Sequence, residues 1–212
     1  MALALNHKKA IIFDFDGTLV DIEPLFIEVF NALAPEFRYA PLLPDDIPEI
    51  KKLGAREFIQ RRLKIPFWKI WKLERRGKEE YRRRMEHIGL FPGMKEVVEQ
   101  LRNGGYRVGI LSSNASSTVS DLVKKFDMEV DFISQSAIFG KARAIRKTLK
   151  KENLDIAAVI YVGDEVRDVE ACREIGVDML AVTWGLNEKE SLILAGAPTA
   201  DTPEELLSRL LP

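Results

Sequence analysis

At 212 residues, with 46% hydrophobic and 31% charged side chains, the chain has the usage of a globular protein: long enough for one well-filled core plus a smaller appended unit. A formal net charge of -1 excludes a global field for nucleic acid or an acidic membrane, and no apolar run approaches the ~18 residues of a membrane span. The single cysteine, Cys172, excludes an intrachain disulfide framework.

In chain order, the opening MALAL is too short for a signal-peptide hydrophobic region, so the default location is cytoplasmic. The first predicted strand, AIIFDF, begins at Ala10 and runs straight into two aspartates, Asp14 and Asp16, then Gly17 and Thr18. From Ile22 to Ile88 no clear strand follows. The segment instead carries prolines and amphipathic patterns such as LFIEVFNAL and AREFIQRRL, which predict an inserted helical unit. It holds 15 Lys and Arg against 11 Asp and Glu, a local excess of +4 that leaves -5 for the remainder. Within it, IPFWKIWKL presents Ile65, Phe67, Trp68, Ile70, Trp71 and Leu73 as an apolar helix face, expected to be the insertion's own core. A substrate-facing surface and a dimer contact are the alternatives. Arg75, Arg76, Lys78 and Arg82 to Arg84 read as a solvated face. The sharper alternative is that one or two of them, or Arg56 or Lys51, bind an anionic group on a substrate.

From Gly93 onward, helical patterns alternate with short apolar runs, the signature of βαβ units on a mainly parallel sheet. The runs are Tyr106–Leu111, Val130–Ser134, Ala157–Gly163 and Asp178–Val182, which with AIIFDF make five expected strands. Predicted helices are one opened near Pro92 and closed by Gly104 and Gly105, then Ser116–Phe126, Lys141–Glu152, Val166–Ile175 and Pro203–Leu211. Cys172 shares helical spacing with Val169 and Ile175, which predicts a core position.

Open parallel sheets bind ligands beyond the carboxyl ends of their strands, so the polar residues that end the apolar runs are the candidates. They are Asp14 and Asp16, then Ser112, Ser113 and Asn114, then Asp164 with Asp168 following; Lys141 opens a helix. Several carboxylates brought together raise one another's pKa unless a cation compensates. Mg²⁺ suits oxygen donors, whereas neither His7 nor His87 lies near a strand end to build a nitrogen site or a Ser-His-Asp triad. Lysine and hydroxyl groups beside Mg²⁺ point to phosphate-ester chemistry, in which an aspartate can be the nucleophile and a second carboxyl the acid and base. Gly17 either punctuates the turn or lets backbone approach a phosphate. Thr18, Ser113 and Asn114 complete the candidate phosphate-binding set, with Thr18 also expected to tie down the turn carrying Asp16.

These residues resemble the haloacid dehalogenase-like (HAD) superfamily, more narrowly its phosphoglycolate-phosphatase-like hydrolases with a type-one helical cap. Asp14-Phe15-Asp16-Gly17-Thr18 is similar to the first family motif, Ser112 ending VGILS to the second, Lys141 in IFGKARA to the third, and GDEVRD with Asp164 and Asp168 to the fourth. The tail from Gly176 to Leu206 also resembles the ending of that branch. The resemblance implies an α/β, Rossmann-like, mainly parallel five-stranded sheet flanked by helices. The core would span 1–21 and 89–212, with an all-helical cap at 22–88. It further implies that Asp14 attacks phosphorus, that Asp16 protonates the leaving alcohol and then activates water, and that Ser112 and Lys141 hold the phosphoryl group. Mg²⁺ would be bound by the Asp14 carboxylate, the Asp16 backbone carbonyl and Asp164, with Asp168 as a direct or water-mediated ligand. Dehalogenase relatives lack an equivalent of Asp16, so its presence favours a phosphatase. One departure is Ile22, where relatives often carry a small polar residue. The expected partner is a small phosphorylated metabolite, with 2-phosphoglycolate the first candidate, no nucleic acid, no membrane, and a monomer or homodimer. The alternatives are a sugar phosphomutase of the same superfamily and a non-catalytic phosphate-binding or signalling module.

Overall fold

The computed structural model describes residues 8–53, 57–137 and 140–211. Its main sheet contains β1 (Ala10–Phe13), β4 (Arg107–Ser112), β5 (Phe132–Gln135), β6 (Val159–Gly163), β7 (Asp178–Val182) and β8 (Thr199–Ala200), in the order β5-β4-β1-β6-β7-β8. Every pairing in it is parallel, and Phe13 sits in register with Ile110 of β4 and Val162 of β6. β1 and β6 are buried along their whole length, which is why they read as continuous apolar runs. Successive side chains still separate by face. Ile11, Phe13, Ile160 and Val162 join one core, while Ala10, Ile12, Val159 and Tyr161 join the core on the other side.

The helices Lys141–Glu152 and Val166–Ile175 fall where the sequence places them, and Cys172 is buried between Val169 and Ile175. The sheet has six strands rather than five. β8 is two residues long, between Pro198 and Asp201, too short for any periodicity to show; it closes the edge by pairing with Ala181 and Val182. The short helix Lys189–Leu194 escapes the sequence reading for the same reason.

A second, two-stranded antiparallel sheet pairs β2 (Val20–Asp21) with β3 (Gly89–Leu90), so the start and end of the helical insertion lie side by side. Pro24 lies in the first turn of the helix Glu23–Phe37, whose Leu25, Val29 and Leu33 form a buried stripe. That helix packs against the helix Ile70–Arg84, where Ile70, Leu73 and Tyr81 are buried. The aromatic rings of Phe26, Phe30 and Phe58 cluster beside them, with centroids 4.4 to 5.7 Å apart. Trp68 and Trp71 do not belong to this core: they are 71% and 64% exposed. Five of the six residues of that predicted face follow Pro66 within or beside the helix Ile70–Arg84, but its buried side is set by Ile70, Leu73 and Tyr81, and the two tryptophans project away from it. Among the described residues no helix is long and apolar enough to cross a membrane.

Candidate active site

The site forms where the chain leaves the carboxyl ends of β1, β4 and β6. Asp14 directly follows β1, and its backbone N–H donates to Val162 O of the neighbouring strand at 2.7 Å, so its position is fixed by the sheet. Gly17 then turns the chain with φ +79°, and a Cβ there would lie 2.2 Å from Asp164 Oδ2. Positive φ and close approach both require glycine at this point, and together they let the β1 turn press against the residue that ends β6. Thr18 Oγ1 completes the contact by donating to Asp164 Oδ1 at 2.7 Å, while Leu186 N–H donates to Oδ2 at 2.7 Å.

Lys141, the first residue of its helix, is buried and reaches across the sheet end. Its Nζ donates to Asp14 Oδ2 at 2.8 Å and forms an ion pair with Asp168 Oδ1. Asp168 occupies the first turn of the helix Val166–Ile175 and accepts from Glu165 N–H at 3.3 Å through Oδ2. Its Oδ1 meets Lys141 as a charge contact without regular hydrogen-bond geometry. Burial alone would push the Lys141 pKa down, but the charges of Asp14 and Asp168 outweigh it and hold the ammonium charged.

Asp16 points the other way, toward the insertion. Tyr81 Oη donates to its Oδ1 at 2.6 Å, Asn114 Nδ2 to its Oδ2 at 2.8 Å, and Ser112 Oγ to the same oxygen at 3.3 Å. Asn114 N–H in turn donates to Ser112 Oγ at 3.0 Å, which orients the hydroxyl. Burial pushes the Asp16 carboxyl up to about 6; the Tyr81 hydrogen bond pulls it down and the Asp14 charge pushes it up again. A carboxyl near that value can both give and take a proton close to neutral pH. Ser113 is half-buried and lines the cavity above.

One carboxylate oxygen each from Asp14, Asp164 and Asp168 lies within 4.8 Å of the others, and all three residues are buried. Burial, then the neighbouring charges of Glu165, Asp14 and Asp168, raise Asp164 well above the usual carboxylate range; burial and Asp14 raise Asp168 to about 6 against the pull of Lys141. The cations facing this group are Lys141 and Arg167, and Arg167 is held by Glu165 in an ion pair. The surplus of hard, negatively charged oxygen donors fits a divalent metal ion and not a soft one.

Three residues of the site are absent from the sequence reading. Tyr81 comes from the insertion, and its only signal is its place on the buried stripe of the helix Ile70–Arg84. Arg167 stands inside GDEVRD but is invisible as a site residue until the helix turns it into the cavity. Asn187 is buried and ties the insertion down: its Nδ2 donates to Lys51 O and Leu53 O at 2.9 and 3.0 Å, and its Oδ1 accepts from Val166 N–H. On the opposite side Arg82 reaches Ser117 and Thr118 of the helix Ser116–Lys125. Lys51 ion-pairs with Glu23, whereas Arg56 lies outside the described residues.

A parallel α/β sheet that gathers two aspartates, a hydroxyl, a lysine and a buried acidic triad at one end is the arrangement of a phosphoryl-transferring hydrolase. The chain belongs to the haloacid dehalogenase-like hydrolase family, whose sequence profile matches residues 11–182, and it is a phosphatase of phosphoric monoesters. It is 37% identical over 204 residues to a phosphoglycolate phosphatase from Synechococcus elongatus, covering 94% of this chain and 95% of that one. It is 27% identical over 193 residues to an N-acetylmuramic acid 6-phosphate phosphatase from Pseudomonas putida, covering 84% and 83%. A solved haloacid dehalogenase-like hydrolase from Streptococcus pneumoniae superposes with a TM-score of 0.80 at 25% identity, covering 95% and 98%. In this family the helical insertion between β2 and β3 is the cap.

Proposed function

We propose that this phosphatase is Mg²⁺-dependent and releases phosphate from a small phosphorylated metabolite through an aspartyl-phosphate at Asp14. The observation that carries the reading is the unequal pair of aspartates: Asp14 is locked to Lys141, while Asp16 has a carboxyl raised to about 6 and three donors around it. An Asp14 oxygen attacks phosphorus as the ester P–O bond breaks, and Asp16 gives its proton to the departing alcohol oxygen. Asp16 then takes a proton from water, whose oxygen attacks the phosphoryl group and frees Asp14 and inorganic phosphate. Lys141 and Ser112 hold the phosphoryl oxygens, with Asn114 and Ser113 beside them, and Gly17 keeps the turn close. Asp14, the Asp16 carbonyl, Asp164 and Asp168 would hold Mg²⁺, which supplies charge neutralisation for the phosphoryl group. The domain division that suits this reading is a core of 1–21 and 89–212 with a cap of 22–88.

The substrate named for the Synechococcus relative makes 2-phosphoglycolate the reference compound, and the Pseudomonas relative marks how widely leaving groups vary among similar chains. The test is phosphate release from a panel of phosphomonoesters with Mg²⁺ and with chelator, using Asp14→Asn as blank. Magnesium-dependent release that vanishes in the blank is expected; equal release by Asp14→Asn would remove Asp14 as nucleophile.

A further inference from the structure

A cavity of about 230 Å³ among the described residues is lined by Asp16. Its floor is the reacting end of the core, through Asp16, Ser113 and Asn114, and its walls are the two packed helices of the cap. Those walls are apolar: Leu25, Val29, Phe30, Leu33, Phe58 and Leu73. The charged residues among its described lining are Glu74, Lys78, Glu165 and Arg167 besides Asp16. Both cations are engaged by acids of the same lining, Lys78 by Glu74 at 2.7 Å and Arg167 by Glu165.

A second, independent feature points into the same space. On the helix Ile70–Arg84, the positions Ile70, Leu73, Gly77 and Tyr81 share one face, and all four line the cavity. Glycine in a helix interior is unfavourable, and a Cβ built on Gly77 would meet nothing within 4 Å. The stripe therefore has a gap where an apolar side chain would otherwise fill the cap. No backbone constraint explains the glycine, since its φ is not positive.

Resting on the phosphatase reading above, we propose that this cap cavity is the leaving-group subsite, kept open by Gly77, and that the preferred substrates are phosphomonoesters of apolar alcohols rather than of small acids. Asp16 gives its proton to the departing oxygen, and Asp16 lines the core end of the cavity, so the carbon skeleton attached to that oxygen enters the cavity. An apolar cavity of about 150 Å³ accepts a benzene ring, so this one holds a skeleton of about nine heavy atoms. A two-carbon acid such as glycolate would leave most of the space empty. Among the described lining residues its carboxylate would face apolar walls and cations already paired.

The experiment compares kcat/KM for methyl, propyl and hexyl phosphate and 2-phosphoglycolate, alongside binding of the matching alkylphosphonates, which are not cleaved. Wild type, Gly77→Ala and Gly77→Leu are measured together, with thermal unfolding as the folding control; the substitutions favour the helix. The expected result is a rise of about fourfold per methylene in both kcat/KM and phosphonate affinity, partly flattened by Gly77→Ala and largely abolished by Gly77→Leu. Hexyl phosphate should also exceed 2-phosphoglycolate. A flat series, or a slope indifferent to Gly77, overturns the proposal, as does preference for 2-phosphoglycolate. Phosphonates that bind with the expected slope while no ester is cleaved would leave the subsite standing and overturn the catalytic reading instead.

Discussion

The two halves of the site are built from opposite materials. At the sheet end, Asp14, Asp164, Asp168, Lys141 and Arg167 crowd charges into a buried space, and each is held by a named partner. Across Asp16, the described cap lining offers aliphatic and aromatic walls, and its charged residues Glu74 and Lys78 pair with each other. Charged, preorganised groups stabilise a phosphoryl group whatever alcohol it carries, whereas an apolar wall discriminates between alcohols and contributes nothing to bond breaking. On the proposed reading the difference separates labour: the core performs one reaction and the cap chooses who receives it. Tyr81 is where they meet, since a cap hydroxyl donates to Asp16, the proposed acid-base residue of the core.

The largest expected effect lies in the core. Asp14→Asn removes the carboxylate proposed to attack phosphorus and should lower kcat by about 10⁴-fold or more for every ester, as read by phosphate release. Lys141→Met strips the buried partner from Asp14 and Asp168; in chelator it should destabilise the protein by about 3–5 kcal/mol in denaturant unfolding. An unchanged unfolding midpoint would mean those ion pairs do not hold the site.

Metal removal tests the acidic triad. The Asp168 carboxyl lies near 6 instead of its ordinary 3.8, so between those values the folded metal-free protein binds more protons than the unfolded chain. The stabilisation from that raised pKa is complete below the ordinary value and lost as pH rises through the folded one. Asp164 is shifted in the same direction. A divalent ion replaces the lost protons, so Mg²⁺ should raise Tm by a few degrees at about pH 7.5 and by less at about pH 5. An equal or larger gain at the lower pH would contradict the assignment.

At the junction, Tyr81→Phe deletes a hydrogen bond that lowers the Asp16 pKa. The alkaline limb of the kcat/KM profile should then move to higher pH, with a rate loss of about tenfold or less. A limb that stays in place would show that the tyrosine does not tune the acid. The smallest effect belongs to the cap alone. Gly77→Ala has space for its methyl and should stabilise the protein by about 0.5–1 kcal/mol in denaturant unfolding.

The same contrast governs how much the sequence discloses. The sheet end is legible because β1, β6 and β4 after Arg107 read as apolar runs, and the polar residues at which those runs end, Asp14, Asp164 and Ser112, are marked by position alone. Lys141 and Asp168 are legible because each sits in the first turn of a strongly patterned helix. β8 is hidden by its length of two residues. The cap cavity is hidden for a deeper reason. Leu25 to Leu33 and Ile70 to Tyr81 carry ordinary helical stripes, and whether two stripes meet or leave a gap depends on the distance between helices. Trp68 and Trp71 show the converse: apolar residues at plausible spacing that the packed face does not use. Gly77 was the available signal, a glycine on the buried side of a helix with no turn to make.

The most direct test of the division is the ratio of kcat/KM for hexyl phosphate to that for methyl phosphate, measured in wild type, Lys141→Arg and Gly77→Leu. Division of labour predicts that Lys141→Arg lowers both values and preserves their ratio, while Gly77→Leu collapses the ratio. A ratio that changes alike in both variants, or in neither, would contradict it.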